Sequence, residues 1–167
     1  MALKSATINV MEAAARKAGR GLIHDFGEVE QLQVSRKGPA DFVSKADLKA
    51  NQILRAELSK ARPSFGLLME ESGATEGSED ERLWIIDPLD GRTNFLHGIP
   101  HFAISIGLEE RGEITAGVIY EPVRDELFWA EKGAGAYLNR RRIRVSSRGR
   151  IGDAVLATGN PFSELLG

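Results

Sequence analysis

Two aspartates three residues apart, Asp87 and Asp90, follow an apolar run, Leu83-Trp84-Ile85-Ile86. The run has the length and composition of a short buried strand, which puts both carboxylates at its C-terminal end. Pro88 stiffens the connection and Gly91 permits a tight backbone, so Asp87 and Asp90 can converge on one point. Converging oxygen ligands suit a hard divalent cation such as Mg²⁺. The residues after Gly91 read as the start of a helix, and helix N-termini attract phosphate. Cation and phosphate together point to metal-assisted phosphoryl chemistry. Asp-Pro and Asp-Gly are also turn formers, and an isolated D-x-x-D is usually a solvated turn or a helix cap. The assignment therefore depends on what surrounds the motif.

The elements that must hold it are legible as helices followed by strands. Residues 3–26 read as a helix, with Ile8, Met11, Ala15, Ala18, Leu22 and Phe26 recurring at steps of three and four. A second helix is predicted over 44–61. Ser44 and Asp47 have the spacing of a capping box, Ala46, Ala50, Ile53, Leu54, Leu58 and Ala61 form its apolar face, and Arg62-Pro63 ends it. Residues 65–70 and 83–87 read as strands flanking a polar, acidic loop. From 102 onward, alternating apolar residues predict an antiparallel meander over 102–108, 114–120, 127–130, 136–138 and 143–145. The expected fold class is α/β, two N-terminal helices packed on a mainly antiparallel sheet.

The chain of 167 residues is long enough for one domain with a real core. Its 42% hydrophobic and 28% charged residues argue against disorder, and a net charge of -2 gives no global attraction to nucleic acid or anionic membrane. With no cysteine there is no disulfide, thiolate metal site or cysteine nucleophile. No apolar run approaches transmembrane length and no secretory signal pattern is seen, so a cytoplasmic location is expected. Six arginines, Arg140, Arg141, Arg142, Arg144, Arg148 and Arg150, cluster late in the chain. They read first as a solvated strand edge and second as a patch for a polyanion or protein partner. His97 and His101 flank Gly98 and Pro100, which argues against a shared helical zinc site. Trp129 reads as a core or interface anchor.

Further acids precede the D-x-x-D. Glu70 and Glu71 end the 65–70 strand, Asp41 stands ahead of the second helix, and Asp47 falls in that helix's expected first turn. If the two strands are neighbours, Glu70 and Asp87 lie at similar heights. Several acids in one cleft repel one another unless cations neutralise them. Taken singly, Asp41 and Asp47 read as helix-terminus acids.

Three blocks, Asp41-Phe-Val-Ser-Lys-Ala-Asp47, Glu70-Glu71-Ser72 and Trp84-Ile-Ile-Asp87-Pro-Leu-Asp90-Gly91-Arg-Thr93-Asn94-Phe95, together make the chain resemble the N-terminal part of the inositol monophosphatase family of Mg²⁺-dependent, Li⁺-sensitive phosphatases. The resemblance runs over essentially the whole chain. It implies the first half of a layered sugar-phosphatase fold, a homodimer, and in-line hydrolysis of a phosphomonoester, an inositol phosphate, by two or more metals. It implies that Glu70, Asp87 and the carbonyl of Leu89 hold the first metal and that Asp90 helps hold the second. It implies that Glu70, with Asp47 and Asp41 nearby, serves the attacking water, and that Gly91, Arg92 and Thr93 receive the phosphate. Lys37 stands near the family's active-site cation.

Two departures bear on activity. The family keeps a threonine directly after the glycine, where this chain has Arg92, and Thr93 cannot replace it because one step along a helix turns the side chain by about 100°. The family also continues into a second α/β half, with another metal-binding aspartate and most of the substrate pocket. The expectation is a truncated, impaired phosphatase in which Arg92 is a tethered cation beside Asp47. Two alternatives stay open: a family phosphatase for a nucleotide 3′-phosphate or sugar bisphosphate, or a non-catalytic interaction protein with RNA or an RNA-synthesis complex as its partner, which the resemblance allows because some bacterial relatives act in such complexes.

Overall fold

The structure, a computed structural model, describes residues 3–32, 39–69 and 81–157, with backbone alone at 30–32 and 39–41. Helix α1 (Ala6–Leu32) begins where the Ser5 hydroxyl accepts the Ile8 N–H at 3.2 Å, an N-cap bond. Its buried face is Ile8, Met11, Ala15, Ala18, Leu22 and Val29. Val29 carries the stripe beyond residue 26, where the sequence expectation ended the helix. Gly19 interrupts nothing. A Cβ there would come within 2.7 Å of the Tyr120 ring, so the glycine lets α1 lie close on the sheet.

Helix α2 (Pro39–Ala61) starts five residues before the predicted Ser44. Pro39 takes the first helical position, where its missing N–H has no intrahelical partner to lose. Val43, 6% exposed, is already in the core. Ser44 and Asp47 are therefore interior residues, and the capping-box reading is corrected. Asp41 is the third residue of α2, not a residue ahead of it.

Among the described residues seven strands form one sheet in sequential order: β1 (Gly66–Met69), β2 (Arg82–Asp90), β3 (Ala103–Glu110), β4 (Glu113–Glu121), β5 (Glu126–Glu131), β6 (Gly135–Leu138) and β7 (Arg141–Ile143). The β1–β2 pair is parallel and every other pair antiparallel. The last strand was expected at 143–145. It lies at 141–143 because Asn139 takes a left-handed conformation, φ 53°, and the tight turn sets Arg141 opposite Leu138. Both helices cover one face, α1 over β3, β4 and β5 and α2 over β2. Trp84, Ile86, Ile104, Ile106, Val118 and Leu127 point into that layer and are at most 1% exposed. Trp129 is also core: it stacks on Tyr137 at 4.2 Å, and its indole N–H donates to the Asn139 carbonyl at 2.9 Å.

Candidate active site

The D-x-x-D segment is the last part of β2. Asp87 pairs with Ser105 and Asp90 with Ala103, so three steps on β2 span two on β3. The extra residue makes a β-bulge. Pro88 cannot donate to a ladder, and a bulge is one of the few interior places a sheet tolerates it. Asp87 closes the bulge locally: its Oδ1 accepts the Leu89 N–H at 3.1 Å. Pro88 and Leu89 are buried, which pins the segment from beneath. Asp90 is exposed and lines a recess with Gly91 and Asn94.

Gly91 follows with φ 92°. A Cβ at this residue would stand 3.0 Å from the His101 carbonyl oxygen and 3.2 Å from the Phe102 Cα. Conformation and space thus both require glycine. Helix α3 (Arg92–Leu96) is one turn, held by Phe95 at 0% exposure. The Phe95 ring meets Phe102 at 4.9 Å and Phe26 of α1 at 5.4 Å. Asn94 ties the following loop, donating to the His101 carbonyl at 2.7 Å and accepting from the Ile99 N–H at 2.8 Å. The backbone that carries Asp90, Gly91 and Arg92 is fixed from both sides.

Arg92 does not extend freely into solvent. Its Nε lies 2.7 Å from Oδ2 of Asp47, whose side chain is 1% exposed. A carboxylate that deep needs a counter-charge, and the guanidinium supplies one. The expected placement of Arg92 beside Asp47 is what the geometry has.

The structure thus brings Asp87, Leu89, Asp90, Gly91, Arg92 and Asp47 into one region where α2, β2 and α3 meet. Thr93 is exposed on α3. Glu70, Glu71 and Lys37 lie outside the described residues, as does the Asp41 side chain. Met69, the residue before Glu70, pairs in parallel with Ile86, the residue before Asp87. Among the described residues no group of three or more acidic or histidine side chains is close enough to hold a metal ion. The donors at the bulge, two carboxylates and the Leu89 carbonyl, are all hard oxygens, and that chemistry fits Mg²⁺.

Sequence reasoning missed Asp25. It is 7% exposed, with Lys49 Nζ of α2 at 3.2 Å and His24 Nδ1 at 3.3 Å. The available signal was its place in the α1 stripe, three residues after Leu22 and four before Val29. It also missed Asn94 as the tie of the 97–101 loop.

Known proteins resemble this chain over most of its length. The model of the inositol monophosphatase family matches residues 3–165. An inositol-1-monophosphatase from Mesorhizobium japonicum is 60% identical over 158 residues, which cover 95% of this chain and 59% of that protein. The Nus factor SuhB of Vibrio cholerae is 43% identical over 157 residues, which cover 94% of this chain and 59% of the relative. The crystal structure of the extragenic suppressor protein suhB from Bartonella henselae superposes with a TM-score of 0.80 at 57% identity, covering 89% of this chain and 58% of that one. The chain therefore spans a little under 60% of the length of these relatives. The bulge with its two aspartates, the glycine that follows and the match over nearly every residue lead to one statement: the chain belongs to the inositol monophosphatase family.

Proposed function

We propose that this chain carries the metal and phosphate end of a Mg²⁺-dependent phosphomonoesterase of the inositol-1-phosphatase type, and that on its own it turns over poorly. The observation that supports this best is the β2 bulge, which sets Asp87, the Leu89 carbonyl and Asp90 directly before the left-handed Gly91. Asp87, Asp90 and the Leu89 carbonyl, with Glu70, would hold Mg²⁺. A bound Mg²⁺ would supply Lewis-acid polarisation of a phosphoryl oxygen and a water of lowered pKa. Glu70 would take a proton from that water. The backbone N–H groups at 91–93 would orient the phosphate, and the bulge fixes them before substrate arrives, which lowers the orientation cost. Arg92 stands where the family keeps a hydroxyl that aligns water, so alignment is weakened. Missing single groups of this kind cost about 10²–10³ in rate.

The test is phosphate release from inositol 1-phosphate by the purified chain. The reading expects release well below about 1 s⁻¹ that requires Mg²⁺ and stops in Asp87→Asn. Turnover at or above that rate overturns the impairment, and release that is indifferent to EDTA and to Asp87→Asn overturns the site.

A second reading is favoured by Arg140, Arg141, Arg142, Arg144, Arg148 and Arg150, all exposed around β7 and the segment after it. Here the chain binds a polyanion without chemistry; some relatives are named Nus factors rather than phosphatases. RNA binding that weakens steeply with salt, with no Mg²⁺-dependent turnover, would favour it over the first.

A further inference from the structure

We propose that Arg92 is a fixed internal counter-cation of the acidic cleft, which weakens the hold of the cleft on a divalent cation and also lowers the need for one. The inference rests on the phosphatase reading above. Three observations carry it. Asp47 is 1% exposed, and the Arg92 Nε is 2.7 Å from its Oδ2. Arg92 is two residues along from Asp90, so its charge sits on the same short stretch as the carboxylates of the bulge. The backbone around it is closely packed: a Cβ on Gly91 would meet the His101 carbonyl, and Phe95 packs against Phe26 and Phe102.

Arginine is the residue type for this role. Its charge is permanent at any working pH, so the cation cannot be titrated away. The side chain is 38% exposed, so its charge is not sealed inside the protein. An incoming Mg²⁺ meets a positive charge where a neutral hydroxyl would leave it unopposed. Conversely, the buried Asp47 carboxylate has a neutralising partner already in place without metal. A cleft with a neutral residue at 92 should need its metal to fold tightly; this one should not.

The experiment uses the whole chain and MgCl₂ alone. Binding is measured by calorimetry, and melting is followed in EDTA and in MgCl₂, for the wild type, Arg92→Thr and Arg92→Lys. Removing a neighbouring charge changes ionic equilibria by about tenfold or more, so Arg92→Thr should bind Mg²⁺ about that much more tightly. Arg92→Lys, which keeps the charge, should bind as the wild type does. In EDTA, Arg92→Thr should melt below the wild type, and Mg²⁺ should close the gap. If the wild type and Arg92→Thr bind Mg²⁺ equally, Arg92 is a structural ion pair and this proposal falls while the phosphatase reading stands. If none of the three binds Mg²⁺, both fall. Should Arg92→Thr not fold in EDTA, Arg92→Gln keeps length and hydrogen-bonding capacity without the charge; tighter Mg²⁺ binding than the wild type supports the proposal, and equal binding overturns it.

Discussion

The two faces of the sheet are built from the same strands and have opposite fates. Toward the helices, Ile86, Ile104, Ile106, Val118 and Leu127 are sealed by α1 and α2. On the other face, Ile85, Ser105, Gly107, Gly117 and Phe128 are half-buried, and Ile114 and Ile119 are 54% and 49% exposed. All of these but Ile85 line an open recess of about 320 Å³ that is mostly apolar, and no described element covers it. An antiparallel sheet with one solvated face normally alternates apolar with polar residues. This one is apolar on both, the pattern of a sheet with layers on either side. The lesson is that the candidate site draws on both sides, since Asp90 shares its recess with Ile119 and Phe128 of the open face. Asp47, Arg92 and the Phe26–Phe95–Phe102 cluster all draw on the helix layer.

The largest effect should come from truncating matched side chains on the two faces. Ile106→Ala removes a side chain that is 1% exposed, and such changes cost about 2–5 kcal/mol. Ile119→Ala, half exposed, should cost about 0.5 kcal/mol. Urea unfolding of both variants gives the comparison directly. Equal losses would mean that the second face is covered in solution and that the two faces are alike.

Association is the next test. Exposed apolar patches of this kind drive proteins together, so we expect dimers or larger species at high concentration. Phe128→Lys or Ile119→Lys should shift the population toward monomer without disturbing the helix layer. A wild-type chain that scatters light as a monomer at high concentration breaks this part of the contrast.

What could be read from the sequence follows the range of the forces involved. The order of elements, the apolar stripes of α1 and α2 and the meander were legible because periodicity is local. Arg92 beside Asp47 was legible because family resemblance placed the two positions together. The bulge was not: whether residues 87–90 end a strand or kink it depends on how many β3 residues stand opposite, which no local pattern encodes. The start of α2 was misread at Ser44 because a capping-box spacing can arise by chance inside a helix, while Pro39 was the truer signal. Asp25 was invisible because its partner Lys49 lies on the other helix. Glu70 and Asp41 keep their expected roles as proposals, since their side chains lie outside the described residues.

The smallest expected effect concerns how the helix-covered face is held at its edge. Arg16 of α1 links Glu12, at 2.9 Å, to Asp125 in the β4–β5 turn, and its guanidinium lies 5.0 Å from the Tyr120 ring centre. The Tyr120 hydroxyl donates to Asp125 at 2.9 Å. Burial acts to raise the Glu12 pKa, but hydrogen bonds from Lys4 and Arg16 outweigh it and hold it below its ordinary value of 4.5. The hydrogen bond from Arg16, then that from Tyr120, holds Asp125 below 3.8. Burial, then the bond to Asp125, pushes the Tyr120 phenol above 10.0. For the two lowered acids, folding favours the charged form. Their contribution is complete above the ordinary values and is lost as pH falls through the folded ones. For Tyr120 the sign reverses, so its contribution is complete below 10.0 and is lost as pH rises through its folded pKa. Stability should be flat between these limits and fall at both ends. Asp125 is 68% exposed, so solvent screens its pair, and the whole network should contribute about 1 kcal/mol or less. In Arg16→Met the melting temperature should drop by at most about 2–4 °C near neutrality. The acid limb should also become shallower, because Glu12 and Asp125 lose their shared partner. Ile119→Ala, on the open face, should leave both limbs as they are. A melting curve whose acid limb is as steep in Arg16→Met as in the wild type would show that the ion network does not anchor α1, and that apolar packing alone distinguishes the two faces.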